Sequence, residues 1–340
     1  MTAIAKTGKT VTIFGGSGFV GRHLAQRLAN EGWRIRVAVR RPHEAQELGP
    51  IGDVGQLQIV QANVRDVASV TAAVQGADVV INLVGLLVQG GKQKFTTVHA
   101  AGAGNVARAA ATAGARRLIH MSALGADKTS VSAYAQTKAA GEEAVFEAFP
   151  SATIMRPSVI FGPADGFITR FASLVRMMPI VPLIGSGKTR FQPIHINDVI
   201  DAFMATIGSN ETRGKVFELG GPDVLTLADI LRMMARDMDR PRLFVPWPFW
   251  ATKINAFFLQ MPYTFLRIPP LLTVDQVRLL QHDNVAGMSD EPGVLTIGDL
   301  DKVSDKGSGT GQLVSLEAVL PDYLVRFRKH GQYDARPATS

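Results

Sequence analysis

The sequence predicts an α/β protein: a doubly wound parallel sheet followed by a smaller, discontinuous C-terminal α/β lobe. Three observations lead there. Short runs rich in Val, Ile and Leu alternate with helix-like segments through the first half of the chain, those runs are apolar enough to be buried on both faces, and a glycine-spaced turn, "FGGSGFVG", joins the first run to the first helical segment. Strands buried on both faces belong to parallel sheets with helices on each side.

Taken in order, strands are expected at "TVTIF" (10–14), "RIRVAVR" (34–40), "LQIVQA" (57–62), "DVVINLV" (78–84), "RLIHMS" (117–122) and "ATIMR" (152–156). Helical periodicity fills 20–30, 67–75, 97–113 and 134–149 between them, so the segment repeats a βα unit. After Arg156, Pro and Gly punctuate "RPSVIFGPADG", "PIVPLIGSGKTR" and "LGGPDVLT", with helices at 198–207 and 226–236. The expected domains are a dinucleotide-binding domain at 8–160 with returns near 190–222, a C-terminal lobe from 161–189 and 223–330, and a frayed tail at 331–340.

With 340 residues, 46% hydrophobic and 19% charged, the chain is globular with a large core, not disordered. It has no cysteine, which excludes disulfides, thiolate nucleophiles and Cys-ligated metal centres and fits a reducing compartment. The formal charge of +7 favours an anionic partner, but Lys and Arg form no long block, so no nucleic-acid partner is expected. "MTAIAKTGKT" lacks an apolar core and predicts no secretion, and no run reaches the roughly 18 to 20 apolar residues of a membrane span.

Gly15, Gly18 and Gly21 stand at GxxGxxG spacing between the first strand and the first helix. The first allows a tight turn, the second admits a pyrophosphate against backbone, and the third lets helix and strand pack closely. The helix N-terminus adds free N–H groups and a positive dipole end, so a dinucleotide is expected. Where NAD binders usually place an acid for the ribose, the second strand ends in Arg40 and Arg41, whose planar forks suit the 2′-phosphate of NADPH or NADP. Two solvated surface arginines are the alternative at that point. Asp66 in "NVRD" either meets the adenine or caps the helix at 67–75, and both readings stay open. Gly85, closing "NLVG", would let backbone lie against the cofactor.

Tyr134 and Lys138 in "YAQTK" are four apart and share a helix face. A nearby ammonium would favour phenolate and lower the tyrosine pKa, making Tyr134 an acid or base, with Ser122 orienting the same oxygen. No metal site is expected.

Together, "FGGSGFVG", "NVRD", "NLVG", "YAQTK", "RPSVIFGP" and "PIHINDV" resemble the extended or atypical short-chain dehydrogenase/reductase superfamily, with a Rossmann-type fold, over about residues 10–225. More narrowly, "RRLIHMSALGA", "YAQTKAAGEEAVFEAFPSATIMRPSVIFGPADGFITRFA" and the aromatic, proline-rich C-terminal region resemble the 39-kDa-type accessory subunits of respiratory complex I and their bacterial relatives. The resemblance implies a tightly held NADPH in a peripheral subunit, on the cytoplasmic face of a bacterial inner membrane or its mitochondrial matrix equivalent, with other complex I subunits as partners and no established turnover. It implies Gly15, Ser17, Gly18, Phe19 and Val20 around the pyrophosphate and Arg40 with Arg41 on the 2′-phosphate. It also implies Asn63, Val64 and Asp66, then Leu83, Val84 and Gly85, along the cofactor. Ser122, Tyr134 and Lys138 would face the nicotinamide ribose, and Pro157 with Val159 the nicotinamide. Extended-class enzymes usually carry a longer segment before the tyrosine than the 134 − 122 = 12 positions here, which counts against a substrate pocket in that loop. A free NAD(P)H-dependent reductase or epimerase/dehydratase using Ser122, Tyr134 and Lys138 is the alternative.

Three further features need separate explanations. His195 and Asp198 are expected at a strand-to-helix junction with an Asp or Asn cap, since no second histidine stands at metal-ligand spacing. "GSGKTR" (185–190) lacks the leading glycine of a phosphate loop, so ATP binding is not expected. At 243–272, Trp247, Phe249, Trp250, Phe257, Phe258, Tyr263 and Phe265 alternate with prolines, which are expected to hold aromatics in loops, and Lys253 and Arg267 could meet anionic headgroups. The segment is either ordinary core or a docking surface for lipid or a membrane-embedded partner.

Overall fold

A computed structural model describes residues 8–266, 272–289, 291–303 and 312–328. The chain forms two compact units. The first comprises Met1–Pro157, Ile196–Leu219 and Gly287–Gln312, and the second comprises Ser158–His195, Gly220–Ala286 and Leu313–Ser340.

The first unit opens with β1 (Thr10–Phe14), α1 (Phe19–Asn30), β2 (Arg34–Val39), β3 (Leu57–Gln61), α2 (Val67–Val74) and β4 (Val79–Asn82). It continues with α3 (Ala101–Thr112), β5 (Arg117–Met121), α4 (Ala133–Ala148) and β6 (Thr153–Pro157). The expected βα repeat is therefore present, with the third helix preceded by a π-helical turn at Thr96–Ala100. One parallel eight-stranded sheet runs in the order Val294–Thr296, Val216–Leu219, β6, β5, β4, β1, β2, β3, a Rossmann-type arrangement. Val11, Ile13 and Phe14 in β1 are fully buried because β1 lies centrally, with Val11 in register with Ile35 on one side and Val79 on the other. Phe14, Val80, Leu118 and Ile154 join Val70, Val106 and Val145 of the helices in one apolar core.

Strand order reverses between β1 and β4. The chain leaves these two neighbours toward opposite faces of the sheet, which opens a crevice at their C-terminal ends. The glycine turn follows β1 and Leu83–Gly85 follows β4, so the topology puts both motifs at that crevice.

Helix Ile196–Gly208 packs beside α1. The stretch 287–312, which the sequence assigns to the C-terminal lobe, instead belongs to the first unit. Its strand Val294–Thr296 pairs with Val216–Glu218, and Leu300 of the following helix is buried. Three residues carry too little periodicity to announce an edge strand.

In the second unit, Phe161, Leu183, Phe191, Leu227, Leu231, Met234 and Leu320 form a separate core. Helix Leu227–Asp237 starts at a capping box between Thr226 and Asp229. The expectation that prolines keep the 243–272 aromatics in loops is corrected. Leu243–Trp247 is a strand parallel to Ile180–Ile184, and Phe249–Leu266 is a helix that begins directly after Pro248, a position where proline costs no hydrogen bond. The side chains of Phe258, Tyr263 and Phe265, the residue Arg267 and the tail 331–340 lie outside the described residues.

Candidate functional site

The turn after β1 is built around two glycines. Gly15 sits at φ +78°, donates its N–H to Ala38 O at 3.1 Å, and lies so close to β4 that a Cβ would stand 3.2 Å from the Leu83 carbonyl carbon. At Gly21 a Cβ would stand 2.5 Å from both Gly15 O and Gly16 Cα, so α1 presses directly on the turn. Gly18 is the N-cap of α1, no side chain caps the helix there, and the residue is exposed. The N-terminus of α1 thus follows the turn at the crevice that the topology opens, and Gly85, after β4, is exposed. Ser17 and Phe19 are half-buried, Phe19 resting edge-on against His23, while Val20 is core.

At the end of β2 the two arginines differ. Arg41 is bound to Glu44 at 2.6 Å, whereas exposed Arg40 has no ion-pair partner among the described residues. Asp66 caps α2 by accepting from Ala68 N at 3.1 Å. Asn63 braces the same turn, its Oδ1 accepting from Arg65 N at 3.2 Å. The Val64 side chain is core, and its carbonyl accepts from Asn105.

Beyond β4, Leu83 is buried and Val84 half-buried. An added Cβ on Gly85 would stand 3.7 Å from Lys138 Nζ, so the structure brings the β4 loop and α4 together. Ser132 caps α4 with its Oγ, setting Tyr134 and Lys138 in the first turns. Lys138, 3% exposed, donates from Nζ to Met121 O at 2.9 Å, and burial pushes its pKa down to about 8 against the pull of Glu142. Tyr134 departs from expectation: burial raises its pKa to about 12, so the phenol stays protonated. The expected lowering by Lys138 is not seen: burial, which disfavours the phenolate, is the cause of the shift.

Ser122 ends the β5 segment with its N–H on Met155 O, and its buried Oγ has no hydrogen-bond partner among the described residues. Such an orphan hydroxyl, together with the glycine cradle that any Cβ would fill, fits a bound dinucleotide. Pro157 is buried at the end of β6 and accepts from Leu124 N, while Val159 belongs to the second unit.

Sequence reasoning missed His99, His120 and the Arg156 cluster. His120 is the polar residue inside the apolar run "RLIHM"; its Nδ1 lies 3.1 Å from Asn82 Nδ2, and its Nε2 is buried without a partner among the described residues. Burial, then Lys138 and His99, hold it well below the usual histidine range. Arg156 forms a fork with Glu142 (2.6 and 3.0 Å), both 6% exposed at the side chain, and reaches Glu291 at 2.7 Å. Burial opposes its charge, but the two carboxylates more than offset it.

His195 lies in the strand Ile194–His195 against the Phe161 ring, at the expected strand-to-helix junction, and the helix starts at Ile196 with Asn197 and Asp198 in its first turn. No group of His, Asp and Glu able to hold a metal occurs among the described residues. In "GSGKTR", Gly185–Gly187 is a single 3-10 turn that runs into the strand Arg190–Phe191, not into a helix.

The model of the NAD dependent epimerase/dehydratase family matches residues 11–220. The chain is 35% identical over 335 residues, 96% of its own length and 79% of the relative's, to the mitochondrial NADH dehydrogenase [ubiquinone] 1 alpha subcomplex subunit 9 of Arabidopsis thaliana. It is 36% identical over 195 residues, 57% of this chain and 60% of the relative, to a ceramide reductase of Caulobacter vibrioides. Among solved structures, UDP-glucuronic acid 4-epimerase from Bacillus cereus, in complex with UDP-glucuronic acid and NAD, superposes with a TM-score of 0.65 at 18% identity, covering 93% of this chain and 98% of that one. That likeness shows the fold, which is an NAD(P)-binding one.

Proposed function

The chain belongs to the NAD dependent epimerase/dehydratase family and, within it, to the group of the NADH dehydrogenase subunit 9 proteins; from that premise we propose that it is a dinucleotide-holding accessory subunit of a respiratory NADH–quinone oxidoreductase, complex I. The observation that carries this reading is 35% identity to a mitochondrial NADH dehydrogenase subunit 9 over 96% of the chain, well beyond the dinucleotide-binding unit alone. Purification from membranes in mild detergent tests it. The expected result is co-elution with the other subunits of the complex and a retained nucleotide. Recovery as a lone soluble protein with fast nucleotide exchange overturns it.

The cofactor we propose is NADPH. Its support is the absence of an acid at the end of β2 and the fork of Arg40, which has no ion-pair partner among the described residues and suits a 2′-phosphate, with Arg41 held by Glu44. The Gly15–Gly18 turn and the start of α1 would hold the pyrophosphate, and Ser122 and Lys138 would hold the ribose end. Bound there, the nicotinamide supplies hydride chemistry. A ligand that binds only the folded protein adds about 4 kcal/mol at a thousand times its Kd, which gives a structural cofactor physical sense.

A second reading, a free carbonyl reductase or epimerase, is favoured by the intact Ser122, Tyr134 and Lys138 set and by the ceramide reductase relative. With its phenol protonated, Tyr134 would serve as a proton donor to a carbonyl oxygen, beside the hydroxyl of Ser122. Carbonyl-dependent NADPH oxidation that disappears in Tyr134→Phe, while nucleotide binding persists, would establish this reading in place of the first.

We further propose that the second unit rests on an acidic membrane surface, the cytoplasmic face in a bacterium. Trp250, Ile254 and Phe257 share one helix face and are 68%, 52% and 58% exposed; Met177, Ile180, Leu243 and Trp247 are exposed in the same unit. No Asp or Glu occurs between Asp165 and Asp198 or between Asp239 and Asp275, while Arg176, Arg242 and Lys253 do. Apolar anchors flanked only by cations match an anionic interface. Among the described residues no helix is long and apolar enough to cross a membrane.

A further inference from the structure

We propose that His99 is a positioning residue of the dinucleotide pocket, the side chain that locks the loop after β4 to α4 and so sets the distance between Gly85 and the Tyr134–Lys138 pair. This rests on the reading of the crevice as a dinucleotide site.

Leu86, next to Gly85, donates its backbone N–H to His99 Nε2 at 2.9 Å. An amide can only donate, so Nε2 carries the lone pair and the proton of the neutral ring is on Nδ1. Nδ1 lies 3.1 Å from Thr137 Oγ1, whose own hydroxyl points to the carbonyls of Ala133 (2.8 Å) or Tyr134 (3.0 Å); the Thr137 oxygen is therefore the acceptor of Nδ1–H. One imidazole thus joins the β4 loop to α4 through two directional bonds. The ring is also stacked on Phe95 (5.1 Å, 16°) and meets the Tyr134 ring edge-on (5.3 Å, 87°). Its backbone carbonyl lies against Gly141, where any Cβ on α4 would collide with it.

Lys138 and Tyr134 on α4 and His120 on β5 are the titratable groups around it. Burial, then Lys138, push His99 down to about 3, so the bridging tautomer persists at ordinary pH. His99 lies buried in the π-helical turn at Thr96–Ala100, directly ahead of α3.

The test uses the full chain with NADPH and two variants. Gln in His99→Gln can still offer an oxygen to Leu86 N–H, whereas Phe in His99→Phe keeps a ring between Phe95 and Tyr134 but makes neither bond. His99→Phe is expected to bind NADPH about tenfold more weakly, and His99→Gln to recover most of that loss. Equal affinity of His99→Phe and the wild type overturns the proposal. Independently of any variant's folding, nitrogen NMR of the wild type should show a neutral ring protonated on Nδ1 from pH 5 to 8, and a ring protonated on Nε2, or titrating in that range, overturns it as well. A wild type that binds no dinucleotide overturns the reading of the pocket itself, a failure distinct from either result.

Discussion

Lys138 Nζ donates to the carbonyl of Met121 at 2.9 Å, so the cation that the sequence pairs with Tyr134 is tethered to the end of β5 and buried there. Its folded pKa of about 8 lies below the unfolded value, so the charged form costs stability below pH 8, and that cost is relieved as pH rises from about 8 toward the unfolded value near 10.5. Lys138→Met is therefore expected to gain stability relative to the wild type at pH 7 and to lose that advantage by about pH 10. Urea unfolding of the NADPH-free proteins at the two pH values checks the sign, and an advantage that grows with pH contradicts it.

Gly21→Ala should displace the turn that Gly15 and Gly16 form, because the new methyl meets backbone at 2.5 Å. A loss of about 1–3 kcal/mol in stability and at least about tenfold in nucleotide affinity is expected, read by thermal unfolding and by NADPH fluorescence titration.

Arg40 and Arg41 should separate in their effects. Arg40→Ala is expected to reduce preference for NADPH over NADH by about tenfold, while Arg41→Ala, which removes a guanidinium already bound to Glu44, changes it much less. Parallel titrations with both nucleotides decide this, and equal losses would show that the Glu44 pair opens on binding.

Glu142→Gln leaves the Arg156 guanidinium buried with only the half-exposed Glu291 for a counter-charge, and about 3–5 kcal/mol should be lost. Glu291→Gln, at the wet end of the cluster, should cost no more than about 1 kcal/mol. Chemical denaturation of both variants reads the contrast.

Trp250→Ser combined with Phe257→Ser should leave the fold intact, since both side chains are mainly exposed, and should lower sedimentation with vesicles of acidic phospholipid. Unchanged sedimentation assigns that face to something other than lipid.

The sequence by itself determined the sheet, its βα repeat and the glycine turn, because each depends on local periodicity or on residues a few positions apart. It also put Arg40 at the end of β2 and Tyr134 one helical turn before Lys138. Tertiary structure decided what those groups are chemically. Burial, which no local pattern encodes, raises Tyr134 instead of lowering it, and Glu44 pairs with Arg41 while Arg40 has no ion-pair partner among the described residues. The pairings of His99 with Leu86 and Thr137, and of Arg156 with Glu142, join residues 13, 38 and 14 positions apart. The Val294–Thr296 strand closes a sheet begun at Thr10. Such contacts are chosen by which faces the packed helices and strands present to one another, and that choice exists only once the chain has folded.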